Sequence, residues 1–501
     1  MQKWPKYPLV YEINTRVWLA ELSARYGRKL TLDLVPDSEI ESIASKGFHA
    51  VWLMGVWTTG DEPLAIAREH TGLQQEYRKA LPDFTPADVI GSPYAITTYQ
   101  VSAALGGRAA LARLRQRLAT NGLRLILDFV SNHTSRDHHF VIEHPEYYVY
   151  GTEEDLAREP QNFFRTASGH ILAHGRDPYF PGWTDTAQIN YAQPSAREAM
   201  KQKLLDICSQ CDGIRCDMAM LIVPEVIEKL WGHRLGSSSV KESFWKEALP
   251  AVLQRHPGTL FIAESYWNME WQLQQQGFHF TYDKTLYDRL KKKDYGGVRA
   301  HLQGAGAYQD SCLRFVENHD EERAVTTFGA AYSRSAAVAT FFTPGLRLFH
   351  EGQLEGHRIK IPVQLARRPH ENEDVETAHF YEKLLGVLQD PVFHSGQFTL
   401  LNVNSPGWGD ASNASLLAMQ WTPDRDAGKF IGYVIVVNLS GMRAYGRIPL
   451  PAEKFRNKES FVFLDRYDGK RYDRAGDELA WPGLYVALEA YQPHLFEVMR
   501  A

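Results

Sequence analysis

Four short stretches of this chain place charged side chains among apolar ones. "LILDFVSNH" supplies Asp128, Asn132 and His133; "GIRCDMA" supplies Arg215 and Asp217; "FIAESYW" supplies Glu264; "LRFVENHD" supplies Asn318, His319 and Asp320. In an extended segment residues two apart share a face, so Arg215 and Asp217 point the same way. A strand buried on both sides does not carry such a pair without a chemical reason. Two chemistries use a set like this. Glycoside hydrolysis flanks an anomeric carbon with two carboxylates, roughly 5–5.5 Å apart when configuration is retained: one attacks, the other donates and then accepts a proton. Metal-assisted hydrolysis gathers His and Asp around an ion that activates water. The metal reading is the weaker one. Only His133 and His319 are available, the first strand has no H-x-H, and Arg215 would set a positive charge beside the ion.

These residues need a scaffold that brings distant segments to one place. Eight apolar runs read as strands, at residues 9–15, 50–55, 124–130, 213–219, 260–266, 280–284, 313–320 and 346–353. Helix-period segments alternate with them: one around 38–46, "GRAALARLRQRLATNG", "SAREAMKQKLLDICSQ" with Ser195 and Glu198 as a capping box, and one around 243–256. Eight strand–helix alternations imply parallel strands closed into a (β/α)8 TIM barrel, whose active site lies at the C-terminal strand ends. All four charged stretches then meet at one mouth. Residues 131–190 break the rhythm and read as an inserted subdomain after the third strand. From about residue 396 to 501, strands follow one another without helices, as in a separate antiparallel β-sandwich. The barrel is thus assigned to 1–130 and 191–395.

Composition narrows the function classes. The 501 residues carry a formal net charge of −5, so no basic surface points to nucleic acid. No stretch is long and apolar enough to span a bilayer, and "MQKWPKYPLVYEINTRVW" has no signal-peptide pattern. The four cysteines, 208, 211, 216 and 312, read as reduced thiols; the C-x-x-C lies in a helical segment and has no second pair. A cytoplasmic protein is expected. Aromatic residues make up 12%, which suits sugar stacking and equally suits a large core.

The four segments "DFVSNH", "GIRCDMA", "IAESYW" and "FVENHD" resemble those of the α-amylase family, in the family's order and each on its expected strand. The resemblance extends over the barrel, the insertion and the C-terminal β domain. It implies Asp217 as nucleophile, Glu264 as acid/base and Asp320 as third carboxylate. It implies a substrate-binding set of Tyr94 (from "GSPYAITTY"), His133, Arg215 and His319, with Arg215 also aiming Asp217 and Asp128 orienting Arg215. Trp183 and Trp267 are candidate stacking surfaces; Arg323 would line the mouth or sit on the surface; His350 and Glu351 would reach the pocket floor. The expected activity is cleavage of α-1,4-glucosidic bonds in oligo- or polysaccharide α-glucans. The alternatives are glucosyl or maltosyl transfer, or a non-catalytic binding subunit. The chain departs from the family where Asp217 is followed by Met218, Ala219, Met220 and Leu221, which leaves an apolar edge and no lysine–histidine pair. Asn132 matches a family calcium-ligand position, but Gln188 stands where an Asp is usual. No metal cofactor, calcium included, is predicted.

Overall fold

The computed structural model describes residues 3–235, 240–407, 409–425, 427–451, 455 and 459–501. Eight strands close a barrel in which every chain neighbour is also a sheet neighbour: β1 (Leu9–Asn14), β2 (Ala50–Met54), β3 (Arg124–Val130), β4 (Gly213–Asp217), β5 (Leu260–Ala263), β6 (Phe280–Tyr282), β7 (Cys312–Arg314) and β8 (Leu346–His350). All eight pairings are parallel, β8 closing on β1. The strands are buried almost without interruption, as helices outside and packed side chains inside require.

The registers set the site. Arg215 on β4 pairs with Asp128 on β3, and Glu12 on β1 pairs with Trp52 on β2. These four side chains form a polar layer inside the barrel, where branched aliphatics normally pack.

Several expected strands are shorter in the structure. β4 stops at Asp217 because Met218 takes a left-handed conformation, with φ 43° and ψ 45°. β5 stops at Ala263, and β7 at Arg314. Beyond β7 the Asn318 carboxamide oxygen accepts the amides of Asp320 and Glu321, both at 2.9 Å, which folds the chain into a turn. The capping box at Ser195 is also absent. That helix is Pro194–Gln210 with Gln193 before it, because proline suits the first helical turn and holds the preceding residue extended.

The loop leaving β2 is larger than the sequence suggested. It holds helices Asp61–Glu69 and Thr71–Ala80, with a small core of Ala67, Tyr77, Leu81, Val89 and Leu365. After β3, His133–Ser135 pairs antiparallel with Thr186–Gln188, and Phe163–Arg165 with Ile171–Ala173.

The C-terminal part is antiparallel. It contains β9 (Gln397–Leu401), β10 (Leu416–Thr422), β11 (Phe430–Asn438), β12 (Ala444–Ile448), β13 (Ser460–Asp465), β14 (Arg471–Ala475), β15 (Leu484–Leu488) and β16 (Pro493–Arg500). Six form one sheet in the order β9-β10-β11-β16-β13-β14, and β12 pairs with β15. The strand period of two divides β10 between two cores. Leu417, Met419 and Trp421 pack on the barrel; Leu416 and Ala418 pack with Val434, Phe461 and Val486 on the other face. Trp421 anchors the junction by donating to the Phe342 carbonyl at 2.7 Å. The four cysteines are buried and free.

Candidate active site

A cleft of about 310 Å³ opens at the C-terminal strand ends, lined among others by Tyr94, His133, Trp183, Asp217, Glu264 and Asp320. Arg215 is the buried pivot beneath it, with no exposed surface. Its Nη1 donates to Asp217 Oδ1 at 2.6 Å and to Asp128 Oδ1 at 3.4 Å. Its Nη2 pairs with Glu264 Oε2 at 2.9 Å and lies 4.0 Å from Asp320 Oδ2, as ionic contacts rather than aligned hydrogen bonds. Its Nε donates to the Tyr282 hydroxyl at 3.3 Å, and the rings of Trp52, Tyr94 and Tyr282 surround it at 5.2, 5.3 and 5.7 Å. A planar fork suits this task, since its separate N–H groups reach several carboxylates at once.

One guanidinium cannot balance four carboxylates, so protons are retained where burial is deepest. Burial pushes the Glu264 carboxyl up to about 7, against the lowering pull of Arg215 and with Asp217 and Asp320 adding to the rise. Tyr266 Oη donates to Glu264 Oε1 at 2.9 Å, and the Met218 amide donates to Oε2 at 2.6 Å. Burial likewise takes Asp128 up to about 7, opposed by Arg215 and by the Trp52 indole N–H, which donates to it at 3.1 Å. Asp320 goes the other way. Its side chain is exposed to the cleft yet desolvated by the groups crowded beside it, which works against ionisation; His319 at 3.0 Å outweighs that, with help from Arg215 and Lys360, and holds it well below the usual carboxylate range.

Tyr94 and His133 line the cleft, Tyr94 Oη lies 2.8 Å from His319 Nε2, and the His133 ring meets Trp183 at 5.2 Å. Burial lowers the His133 pKa, which favours a neutral imidazole. Arg215 needs a correction: a side chain with no exposed surface cannot touch substrate, so it acts through the carboxylates it holds. Arg323 is neither at the mouth nor on the surface. It is 2% exposed and donates to Glu317 at 2.6 Å, to His350 at 2.8 Å and to the Glu351 carbonyl at 2.7 Å, tying the β7 and β8 ends together. Nor is there an apolar Met220–Leu221 edge; both are buried in the core, and only Met218 reaches the cleft. Trp267 packs against Tyr179 at 5.3 Å.

Sequence reasoning missed Glu12, Trp52, Tyr266 and Tyr282. Glu12 carried the same signal as Arg215, a charge at an inward position of an apolar strand.

The calcium position can be tested on its donors. The Gln188 carboxamide nitrogen donates to Asn132 Oδ1 at 3.0 Å and to the Asn132 and Ile189 carbonyls at 3.0 and 3.1 Å. An N–H donor fills the centre and none of these groups is a carboxylate, so they do not fit a hard cation that wants six or more oxygens. Among the described residues, no three His, Cys, Asp or Glu side chains are grouped to hold a metal ion.

Comparison with known proteins bears on the family and the fold. The family model for the alpha-amylase catalytic domain matches residues 41–378. The chain is 23% identical over 371 residues to Alpha-amylase MalA of Haloarcula japonica, covering 71% of this chain and 45% of that one. It is 22% identical over 294 residues to Alpha-amylase 3 of Dictyoglomus thermophilum, covering 54% and 55%. The chain thus spans about half the length of these two relatives. Among solved structures, the maltogenic alpha-amylase AmyB of Thermotoga neapolitana superposes with a TM-score of 0.68 at 16% identity, covering 99% of each chain, a match that speaks for the fold.

Proposed function

Because this chain belongs to the α-amylase family, we propose that it is a retaining glycosidase that cleaves α-1,4-glucosidic bonds of maltooligosaccharides or related α-glucans. The observation that carries this reading is the convergence of Asp217, Glu264 and Asp320, from three strand ends, on the one guanidinium of Arg215 at the edge of one cleft.

Asp217, aimed by Arg215, attacks the anomeric carbon. Glu264, still protonated near neutral pH, passes its proton to the departing glycosidic oxygen as that bond breaks. The product is a glycosyl ester on Asp217. Forming that ester removes one of the negative charges that hold Glu264 protonated, while Arg215 remains beside it. Glu264, left ionised by that transfer, takes a proton from incoming water as the water oxygen displaces Asp217. Asp320 grips hydroxyls of the bound ring, and Tyr94, held by His319 at 2.8 Å, supplies a face for it.

A second reading ends differently, with a sugar hydroxyl in place of water. Met218, Trp183 and Tyr266 give the cleft an apolar and aromatic wall that suits a sugar acceptor. Product analysis separates the two. The purified protein is incubated with a defined maltooligosaccharide, with and without added acceptor, and the mixture is chromatographed. Shorter products alone support hydrolysis; longer products support transfer. An unchanged substrate in both mixtures overturns the proposal and leaves a binding role.

A further inference from the structure

We infer that Glu12 on β1 is a positioning residue for the sugar-binding edge of the site: its carboxylate holds His319 as a donor at both ring nitrogens, so the Tyr94 hydroxyl accepts from His319 and turns its own proton toward the cleft. This rests on the activity proposed above and adds a residue that acts through His319.

Glu12 has no exposed surface, and its pairing with Trp52 and His350 fixes it on the inner face of the barrel. Its Oε1 lies 2.5 Å from His319 Nδ1, while Oε2 has no hydrogen-bond partner. A carboxylate buried with half its acceptor capacity unused is costly unless it compensates a charge. Ionised carboxylates only accept, so Nδ1 must carry a proton. The same reasoning applies across the ring. Nε2 lies 3.0 Å from Asp320 Oδ2 and 2.8 Å from Tyr94 Oη. A neutral ring would leave the Asp320 carboxylate 3.0 Å from Nε2 with no positive charge to meet it, so Nε2 carries a proton too. The imidazole is therefore a cation between two carboxylates, and the phenol oxygen beside it is an acceptor.

The surroundings agree. Burial disfavours the imidazolium, but Asp320 and Glu12 outweigh it and take His319 up to about 10. The other titratable groups facing it are Tyr94 from the loop after β2, Asp128 on β3 and His350 on β8. Burial and Arg323 push His350 far below its ordinary value, so it adds no competing charge. The Trp52 ring edge at 5.5 Å and the stacked Tyr94 ring at 5.5 Å leave the imidazole little room to turn.

The test is a pH titration of the full chain labelled with ¹⁵N-histidine, with the His319 signals assigned by their loss in His319→Gln. In the wild type these signals stay doubly protonated between about pH 5 and pH 8, where an unperturbed histidine changes charge. In Glu12→Gln they titrate within that range. The kcat/KM of Glu12→Gln on a maltooligosaccharide, taken as a ratio to wild type at each pH, then falls about tenfold as pH rises through the same range, the loss of one charge-assisted hydrogen bond. A neutral His319 in the wild type at pH 7 overturns the inference, and so does a Glu12→Gln titration equal to the wild type. Should Glu12→Gln not fold, the titration is repeated on Glu12→Asp, which draws the carboxylate back from the ring, and one unmoved from wild type overturns the inference. The titration also stands apart from turnover, so a protein that cleaves no glucan would refute the proposed activity without touching this result.

Discussion

Replacing Arg215 by lysine isolates the work of the guanidinium while leaving a positive charge in place. Arginine reaches Asp217 at 2.6 Å through one nitrogen and Glu264 at 2.9 Å through another. A lysine has a shorter reach and one nitrogen in place of two, so it cannot hold both carboxylates at these two positions at once. Each contact is a buried, charge-assisted interaction worth roughly 1.5–3 kcal/mol, so losing one should lower kcat/KM by about 10- to 150-fold. The lost contact also has a pH signature. Arg215 is the strongest influence that lowers the Glu264 pKa, which burial raises to about 7. If the ammonium stays with Asp217, Glu264 keeps its proton to higher pH and the alkaline limb of kcat/KM moves upward. The assay is the pH dependence of kcat/KM on a maltooligosaccharide for both proteins, with a thermal melt to show that the variant is folded. A folded Arg215→Lys protein within threefold of wild type, or one whose alkaline limb moves down, would refute the reasoning.

Other consequences can be checked as directly. Asp217→Asn should lower turnover by at least about 10⁴-fold in a folded protein, because the amide cannot form the ester; near-normal release of reducing sugar would exclude the mechanism. In the wild type, kcat/KM should fall as pH rises through about 7, since a carboxyl with a raised pKa is lost as an acid above that value; a profile flat to pH 9 would contradict the assignment of Glu264. Phe393→Ala removes a fully buried ring packed on Phe342, Trp421 and Tyr433 between the barrel and the C-terminal sheet. It should cost about 3–5 kcal/mol in denaturant unfolding, and an unmoved midpoint would show the junction carries no load. Chelator should leave melting temperature and activity unchanged, because Gln188 fills the place between Asn132 and Ile189; a drop reversed by calcium would show otherwise.

The barrel was legible because each of its strands is an apolar run with a helix-period segment or a loop before the next, and no closed parallel sheet needs more than that. The carboxylates were legible because a charge in such a run is conspicuous. Lengths were less so: where β4, β5 and β7 end depends on the turns at Met218, beyond Ala263 and at Asn318, not on apolar content. The helix Thr71–Ala80 escaped because its cap is the His70 imidazole, accepting from Leu73 at 3.2 Å, in place of the usual short polar side chain. The hairpins of the insertion have strands of three residues, too short to show a period of two. The fate of Arg323 turned on Glu317 and His350, residues whose approach depends on the closed barrel rather than on local sequence.

The left-handed backbone at Met218 has a mechanical consequence. Residues other than glycine, asparagine and aspartate rarely adopt it, at a cost of roughly 1–2 kcal/mol. Here it turns one peptide N–H sideways onto Glu264 Oε2, and the next amide, from Ala219, reaches the Glu264 carbonyl at 3.1 Å. The reactive ends of two neighbouring strands are thus latched by main chain, whatever side chain stands at 218. Their spacing is set by a backbone bend rather than by packing, so a bulkier or smaller residue there should alter what the pocket accepts while the distance between the two carboxyl groups stays fixed.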